Sequence, residues 1–412
     1  MESRAENIVG RKSVPVRSRE FFVEVFCKQR NYNGEHICGD VFRVKRIKTE
    51  NRMIIVLSDG MGHGVKANVM ATLTSSFALN FTEEHKDFEK IADIIMNTLP
   101  VNAETSTSYS TFTIVDIDFA GSVKVMEYDN PHALILRSFE ELDIPWSKLV
   151  MDTERNKGKV LKMATFIPRN GDRIIFGSDG IVQSGLGILN NNVGWPIEKV
   201  KGYVLQLMMN NPDISANELA QKVVNQAHRN DGYVSKDDMS CVSIYFRNPR
   251  ECMICTGPPY DKSRDVEYVQ ALKNFKGEKI ICGGTTAKII AKYLNLNIET
   301  DRNAAVDPDL PPLHIMPGIG IVTEGILTLT KVCNLLERGG SSSIATDAGP
   351  AGRIVSIIHE SDMVHFLVGT SLNSAHQDPD LPVELEIRRT VVRRIAKLLD
   401  EVLMKDVKIT YY

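Results

Sequence analysis

The stretch Met53–Asn80, MIIVLSDGMGHGVKANVMATLTSSFALN, decides how the first half of this chain is read. It opens with an apolar run, Met53–Leu57, that is too short to cross a membrane and the right length for a buried strand. The run ends at Ser58-Asp59-Gly60-Met61-Gly62-His63-Gly64, where glycines allow backbone approaches that side chains would block. A helical pattern follows, and its spacing predicts that Val65, Val69, Leu73, Phe77 and Leu79 form the buried face. Asp59 is thus expected at a strand end, beside a turn and a helix start, as suits a hard cation or an anionic ligand. Asp-Gly is also a common turn pair, so the rest of the chain must decide.

Working outward, Phe21–Lys28 and Ile37–Ile47 read as strands, with Gly39-Asp40 near the start of the second. Phe88–Leu99 carries Ile91, Ile94, Ile95 and Leu99 at helical spacing and stops at Pro100. Three strands come next, at Ser110–Asp116, Ser122–Tyr128 and Ala133–Arg137. Their short connections predict antiparallel pairing. Lys157–Phe166 reads as another strand, and Asp172–Phe176 as a short apolar one ending in Gly177-Ser178-Asp179-Gly180. That end repeats the Ser-Asp-Gly device of Asp59. Helices are expected at Glu198–Met208 and Ala216–His228, the latter capped by Ser215. Lys236-Asp237-Asp238-Met239-Ser240 then leads into a strand, Cys241–Phe246.

Strands interrupted by paired helices indicate an α+β layered domain, ending near Arg247–Arg250. Beyond it a small α/β unit is expected. Its strands are Met253–Thr256 and Lys279–Cys282, its helices Val266–Phe275, Thr285–Leu294 and Thr323–Leu336. Gly339–Gly352 reads as a loop, Ile354–Ile358 with Val364–Val368 as a hairpin, and Pro382–Leu403 as a terminal helix. Its Arg388, Arg389, Arg393, Arg394 and Lys397 read as a solvated face.

The 412 residues are 43% hydrophobic and 25% charged, with a net charge of −3. That is an ordinary globular composition without the basic field that nucleic acid attracts. Met1–Glu20 lacks the apolar core of a signal peptide and no stretch suits a membrane span, so the expectation is a cytoplasmic protein with neither nucleic acid nor membrane as partner. Seven scattered cysteines do not suggest a disulfide framework, and Cys252-Met-Ile-Cys255 has no answering pair for zinc.

Asp40, Asp59, Asp179 and Asp237 share one description, each at or near a strand end within the first 247 residues. Brought together they would repel one another unless a cation neutralised them, and an oxygen-only site selects magnesium or manganese over zinc. Spacing alone does not establish that they converge.

Residues 20–247 resemble the metal-dependent PPM (protein phosphatase 2C) family of serine/threonine phosphatases, in its bacterial SpoIIE-like branch. The resemblance rests on Gly39-Asp40-Val41, Ser58–Gly64 with its helix, Asn130-Pro131-His132, Gly171-Asp172-Arg173 leading into Ser178-Asp179-Gly180, and Asp237-Asp238-Met239-Ser240, in that order. It implies a β-sandwich flanked by helix pairs over 20–248, after an N-terminal segment 1–19, with a smaller α/β C-terminal domain over 249–412. It further implies a binuclear Mn²⁺ or Mg²⁺ centre held by Asp40, Asp59, the Gly60 carbonyl, Asp179 and Asp237. The four aspartates would be the catalytic groups, with phosphoserine or phosphothreonine of a protein partner hydrolysed by a water bridging two metal ions. In that branch partners include anti-sigma-factor antagonists. The alternative is a silent module that keeps the fold for binding. Asp237 is favoured over Asp238 as ligand because it aligns with the first residue of the family's Asp-(Asn/Asp)-Met pattern. His63 and His132 are expected to shape loops, and the phosphate-binding arginine of eukaryotic members has no evident counterpart.

The second half lies outside that resemblance. Cys282-Gly283-Gly284-Thr285-Thr286-Ala287-Lys288 and Thr256-Gly257-Pro258-Pro259 are candidate cradles for a small anionic ligand in a regulatory or sensory domain. A homodimer is compatible with the sequence.

Overall fold

The computed structural model describes residues 21–84, 88–98, 110–154, 156–188, 191–301, 304, 307–338, 349–370, 381–403 and 405–412. The chain divides into two compact units, Met1–Asn248 and Pro249–Tyr412.

In the first unit, β1 (Phe22–Arg30), β2 (Val41–Ile47) and β3 (Arg52–Gly60) precede α1 (Gly64–Glu84) and α2 (Phe88–Thr98). Next come β4 (Ser110–Asp118), β5 (Val123–Tyr128), β6 (Leu134–Arg137), β7 (Glu140–Glu141), β8 (Trp146–Val150), β9 (Val160–Phe166) and β10 (Arg173–Gly177). The short α3 (Asp179–Val182), then α4 (Ile197–Asn210), α5 (Ala216–Asn230) and β11 (Met239–Arg247) complete it. Two antiparallel sheets result, in the orders β1-β11-β10-β6-β7 and β2-β3-β4-β5-β9-β8. The short connections thus give antiparallel pairs, but Leu134–Arg137 crosses to the other sheet instead of pairing with β5.

Alternation along β3 explains its unbroken apolar run. Ile55 and Leu57 meet Val115, Val125, Ile174, Val242 and Ile244 between the sheets, while Ile54 and Val56 meet Ala78, Ile91 and Ile95 under the helices. The other sheet is covered by α4 and α5 through Val204, Leu219 and Val223. This is a β-sandwich with a helix pair on each outer face. Ser215 caps α5 as expected, its hydroxyl accepting from Glu218 N at 3.1 Å.

The buried face of α1 differs from the one its large apolar residues predict. Val65, Val69 and Leu73 are exposed, and Ala67, Ala71, Thr74, Ser75 and Ala78 lie against the sheet. Only small side chains let the helix axis approach β3 and β4 this closely, so size decided over hydropathy. Phe77 and Leu79 do pack partly buried in the cluster under the helices. The strand expected over Lys157–Phe166 begins at Val160, the one over Ile37–Ile47 at Val41, and Leu99 and Pro100 fall outside the described residues.

The second unit contains β12 (Glu251–Thr256), α6 (Asp265–Asn274), β13 (Glu278–Cys282), α7 (Gly284–Leu294), β14 (Glu299–Thr300), β15 (His314–Met316) and β16 (Gly320–Thr323). It continues with α8 (Ile326–Glu337), α9 (Gly349–Glu360), β17 (Met363–Val368), α10 (Leu381–Glu401) and β18 (Asp406–Tyr411). The sheet order is β14-β15-β16-β13-β12-β17-β18, parallel from β16 to β18 and sandwiched between helices. The hairpin expected at Ile354–Ile358 and Val364–Val368 is a correction: the first segment lies in α9, and β17 pairs in parallel with β12. Both segments are apolar runs buried on two sides, where helix and strand periods look alike. Thr323 likewise ends a strand instead of starting a helix, and Gly349–Gly352 opens α9. Cys252 and Cys255 point to opposite faces of β12, into separate cores, and so form no common ligand pair.

Candidate active site

The four aspartates singled out by sequence come from both sheets and meet at one edge of the sandwich. Asp40 precedes β2, Asp59 is the penultimate residue of β3, Asp179 opens α3 directly after β10, and Asp237 lies two residues before β11. Asp59 interacts with Asp40, Asp179 and Asp237, and shares a side-chain hydrogen bond with Asp179. Two glycines make the convergence possible. A Cβ on Gly60 would stand 2.1 Å from the Ala67 carbonyl oxygen of α1, and one on Gly180 would stand 2.1 Å from the Asp238 carbonyl oxygen. The Asp-Gly pairs are therefore close-approach points, and β3 runs straight through Ser58-Asp59-Gly60 before the chain turns.

Asp40 is only 2% exposed, and its Oδ2 accepts from Ser240 Oγ at 2.6 Å. Burial raises its pKa, against hydrogen bonds from Ser240 and Ser178 that lower it. Burial raises Asp59 strongly, with the charges of Asp40 and Asp179 adding to it. Burial and then Asp179 push Asp237 up to about 6. Each of these carboxylates keeps its proton to higher pH than an ordinary aspartate, because each is short of water and close to another carboxylate.

Asp238 is separate from Asp237 in its work. It is 2% exposed, and its Oδ1 accepts from Tyr32 N at 2.9 Å, tying the 31–36 turn to the acidic edge. Asp40 Oδ1 and Asp238 Oδ2 are buried without a hydrogen-bond partner. Among the described residues, no three His, Cys, Asp or Glu side chains stand ready-made as a ligand set. Several carboxylate oxygens already accept local bonds: Asp179 Oδ2 from Gln183 Nε2 at 2.7 Å and Asp237 Oδ1 from Asp238 N at 2.8 Å. An all-oxygen group with unpartnered buried oxygens and mutually raised pKa values fits a hard divalent cation in chemistry.

Asp59, Asp179 and Asp237 line an open cleft of about 750 Å³ with Ser110, Thr111, Tyr128, Asp129 and His63. Its lining also includes Lys157, Lys159 and Lys236, cations that the sequence reading passed over. His63 stacks on Tyr32 with ring centres 4.1 Å apart, and its Nδ1 is 2.9 Å from Glu35 Oε1. His132 is 2.9 Å from Glu127 Oε2, and the same carboxylate's Oε1 accepts from Ala133 N at 2.7 Å. That network fixes the Asn130-Pro131-His132 turn.

Residues 49–247 match the family model of stage II sporulation protein E, SpoIIE. No curated protein matches the chain. Among solved structures, the phosphatase domain of SpoIIE from Bacillus subtilis is 19% identical, over 56% of this chain and 95% of that one, with a TM-score of 0.43. A longer structure of the same protein, holding its PP2C phosphatase domain and a regulatory-domain fragment, gives 19% identity and a TM-score of 0.46. There the likeness covers 56% of this chain and 63% of the other. RsbX in complex with magnesium is 19% identical over 57% of this chain and all of its own (100%), at a TM-score of 0.35.

Proposed function

We propose, from the premise that residues 49–247 are a SpoIIE-like phosphatase domain of the PPM type, that this protein is a metal-dependent serine/threonine phosphatase acting on a phosphorylated protein partner. The observation that carries the reading is the meeting of Asp40, Asp59, Asp179 and Asp237 from two sheets beside one cleft. A scaffold that only binds gains nothing from buried carboxylates that raise one another's pKa.

Asp40, Asp59, Asp179, Asp237 and the Gly60 carbonyl would hold two Mn²⁺ or Mg²⁺ ions. When bound, such ions neutralise the charge of a phosphoryl group and make a water acidic enough to attack it. The chain's own residues supply the frame. Ser240 holds Asp40 through its hydroxyl, and Gln183 holds Asp179. Tyr32 N holds Asp238. Fixed orientation of this kind lowers the reorganisation that catalysis would otherwise require. The open cleft admits a side chain carried on a protein surface, which suits a phosphoprotein better than an enclosed pocket would.

The partner fits the class of phosphorylated signalling proteins, an anti-sigma-factor antagonist among them. The second unit, Pro249–Tyr412, is assigned a regulatory role within the same chain. The experiment is hydrolysis of an aryl phosphate by the full chain with and without Mn²⁺, beside Asp59→Asn and Asp179→Asn. Manganese-dependent turnover that both variants lose is the expected result. Turnover that survives in both, or needs no metal, would refute the reading.

A further inference from the structure

The acidic cleft has a cationic wall whose construction the proposed chemistry does not use. Lys157 and Lys159 both line it, from the turn that joins β8 to β9. Gly158, between them, has φ +82°, the left-handed conformation that a tight turn between two strands needs. The turn is closed by its backbone, with Met151 N donating to Lys159 O and Gly158 N to Met151 O, each at 2.9 Å.

What holds this turn is a buried amide. Asn156 is 1% exposed, and its Nδ2 donates to Met96 O at 2.9 Å and to Asn97 Oδ1 at 3.2 Å. Its Oδ1 accepts from Lys159 Nζ at 3.0 Å. Met96 and Asn97 sit in the last turn of α2, where helix carbonyls lack intrahelical partners. One side chain thus satisfies the end of α2 and orients a lysine of the cleft. The bond to Asn156 fixes the direction of the Lys159 ammonium beside the cleft.

We propose that Lys157 and Lys159 bind the negative charge of the phosphorylated substrate, and that Asn156 is the positioning residue that ties their turn to α2. The inference rests on the phosphatase reading for the identity of that substrate. A phosphoserine brings about 1.5 to 2 negative charges to an edge already crowded with carboxylates. Cations lining the same cleft offset that repulsion and capture the ligand as it approaches. The charge they meet is that of the phosphate or of acidic residues beside it, and substrates separate the two. Asn156 thus joins the end of α2 to the Lys159 ammonium.

The test uses the full chain with Mn²⁺, an aryl phosphate, and two phosphoserine peptides whose flanks are acidic in one and alanine in the other. Lys157→Gln with Lys159→Gln is expected to raise KM by about tenfold, with kcat changed far less, and to flatten the dependence of KM on salt. An effect on all three substrates assigns the lysines to the phosphate, and an effect on the acidic peptide alone assigns them to its flanks. Asn156→Ala is expected to raise KM in the wild-type background and to add nothing once both lysines are gone. A purely structural role would not produce that non-additivity.

Peptide binding, read by anisotropy of a labelled phosphopeptide, requires no turnover. A wild-type chain that hydrolyses nothing but binds the peptide through the lysines would refute the phosphatase reading and keep the site. Unchanged KM, unchanged salt dependence and unchanged peptide binding in the double variant would overturn it.

Discussion

Gly60 and Gly180 in the first unit and Gly257 and Gly369 in the second occupy the same kind of place, at or just past the end of a buried strand. Each is a point where a Cβ would strike something close. For Gly60 and Gly180 it is backbone 2.1 Å away, and the approach sets aspartates from separate strands side by side. For Gly369 it is the Pro258 carbonyl oxygen at 2.1 Å, and for Gly257 the Arg388 guanidinium at 2.6 Å and the Gly369 carbonyl oxygen at 2.7 Å. In the second unit the glycines join two loops to each other and to α10. At these four positions glycine marks a close approach, and the neighbouring side chains say whether that closeness serves chemistry. Carboxylates are costly to bury together, so their presence is informative. Thr256 and Thr323 at the strand ends of the second unit are neutral hydroxyls that do not repel one another as carboxylates do, and carry no such message.

The largest effect that can break this contrast is on activity. Asp59→Asn should lower turnover by at least about a hundredfold, read by aryl phosphate hydrolysis, whereas Thr323→Val should not.

The next effect is on stability. Gly60→Ala and Gly180→Ala should each cost roughly 1–3 kcal/mol by overpacking. Gly284→Ala, at the start of α7 with open space around its Cβ position, should instead stabilise by about 0.4–1 kcal/mol. Urea denaturation of the three variants checks both signs.

A third effect is on pH dependence. Asp40, Asp59 and Asp237 all titrate above the ordinary aspartate value of 3.8 in the folded protein, with Asp237 at about 6. Between 3.8 and those higher values the unfolded chain has released protons that the folded chain retains. Their contribution is thus fully present below about pH 4 and is lost as pH rises through 6 and beyond. Chelator-treated protein should show a thermal midpoint that falls across this window. Asp59→Asn should shrink the fall, and added Mn²⁺ should reverse it.

The smallest effect belongs to the second unit. Thr256 Oγ1 is buried without a partner, so Thr256→Val should be neutral or stabilising by up to about 1 kcal/mol. A loss of several times that would mean the hydroxyl has a use that its surroundings do not reveal.

Much of the first unit was legible because its signals are redundant. The alternating strands, the capped α5 and the repeated Ser-Asp-Gly device each point to the same layers. The acidic positions were legible one by one, but their meeting was not, since Asp40 and Asp237 are far apart in sequence and come together only across two sheets. The buried face of α1 is not legible from hydropathy, because Ala67, Ala71 and Ala78 bury by fitting, which such a pattern undervalues. Lys157 and Lys159 carry no signal of their own in the sequence, because alternating Lys and small residues look like the start of a strand. Their meaning lies in Asn156, whose partners are the main chain of Met96 and the side chain of Asn97. In the second unit, Ile354–Ile358 and Val364–Val368 are apolar runs of equal length, yet the first lies inside α9 and the second pairs in parallel with β12.

The most direct test of the central claim is calorimetric titration of Mn²⁺ into chelator-treated protein, with Asp59→Asn and Asp179→Asn beside it. An oxygen-lined centre built from both sheets predicts two equivalents bound by the wild type and a loss of binding in each variant. No binding by the wild type, or the same binding in all three, would contradict it.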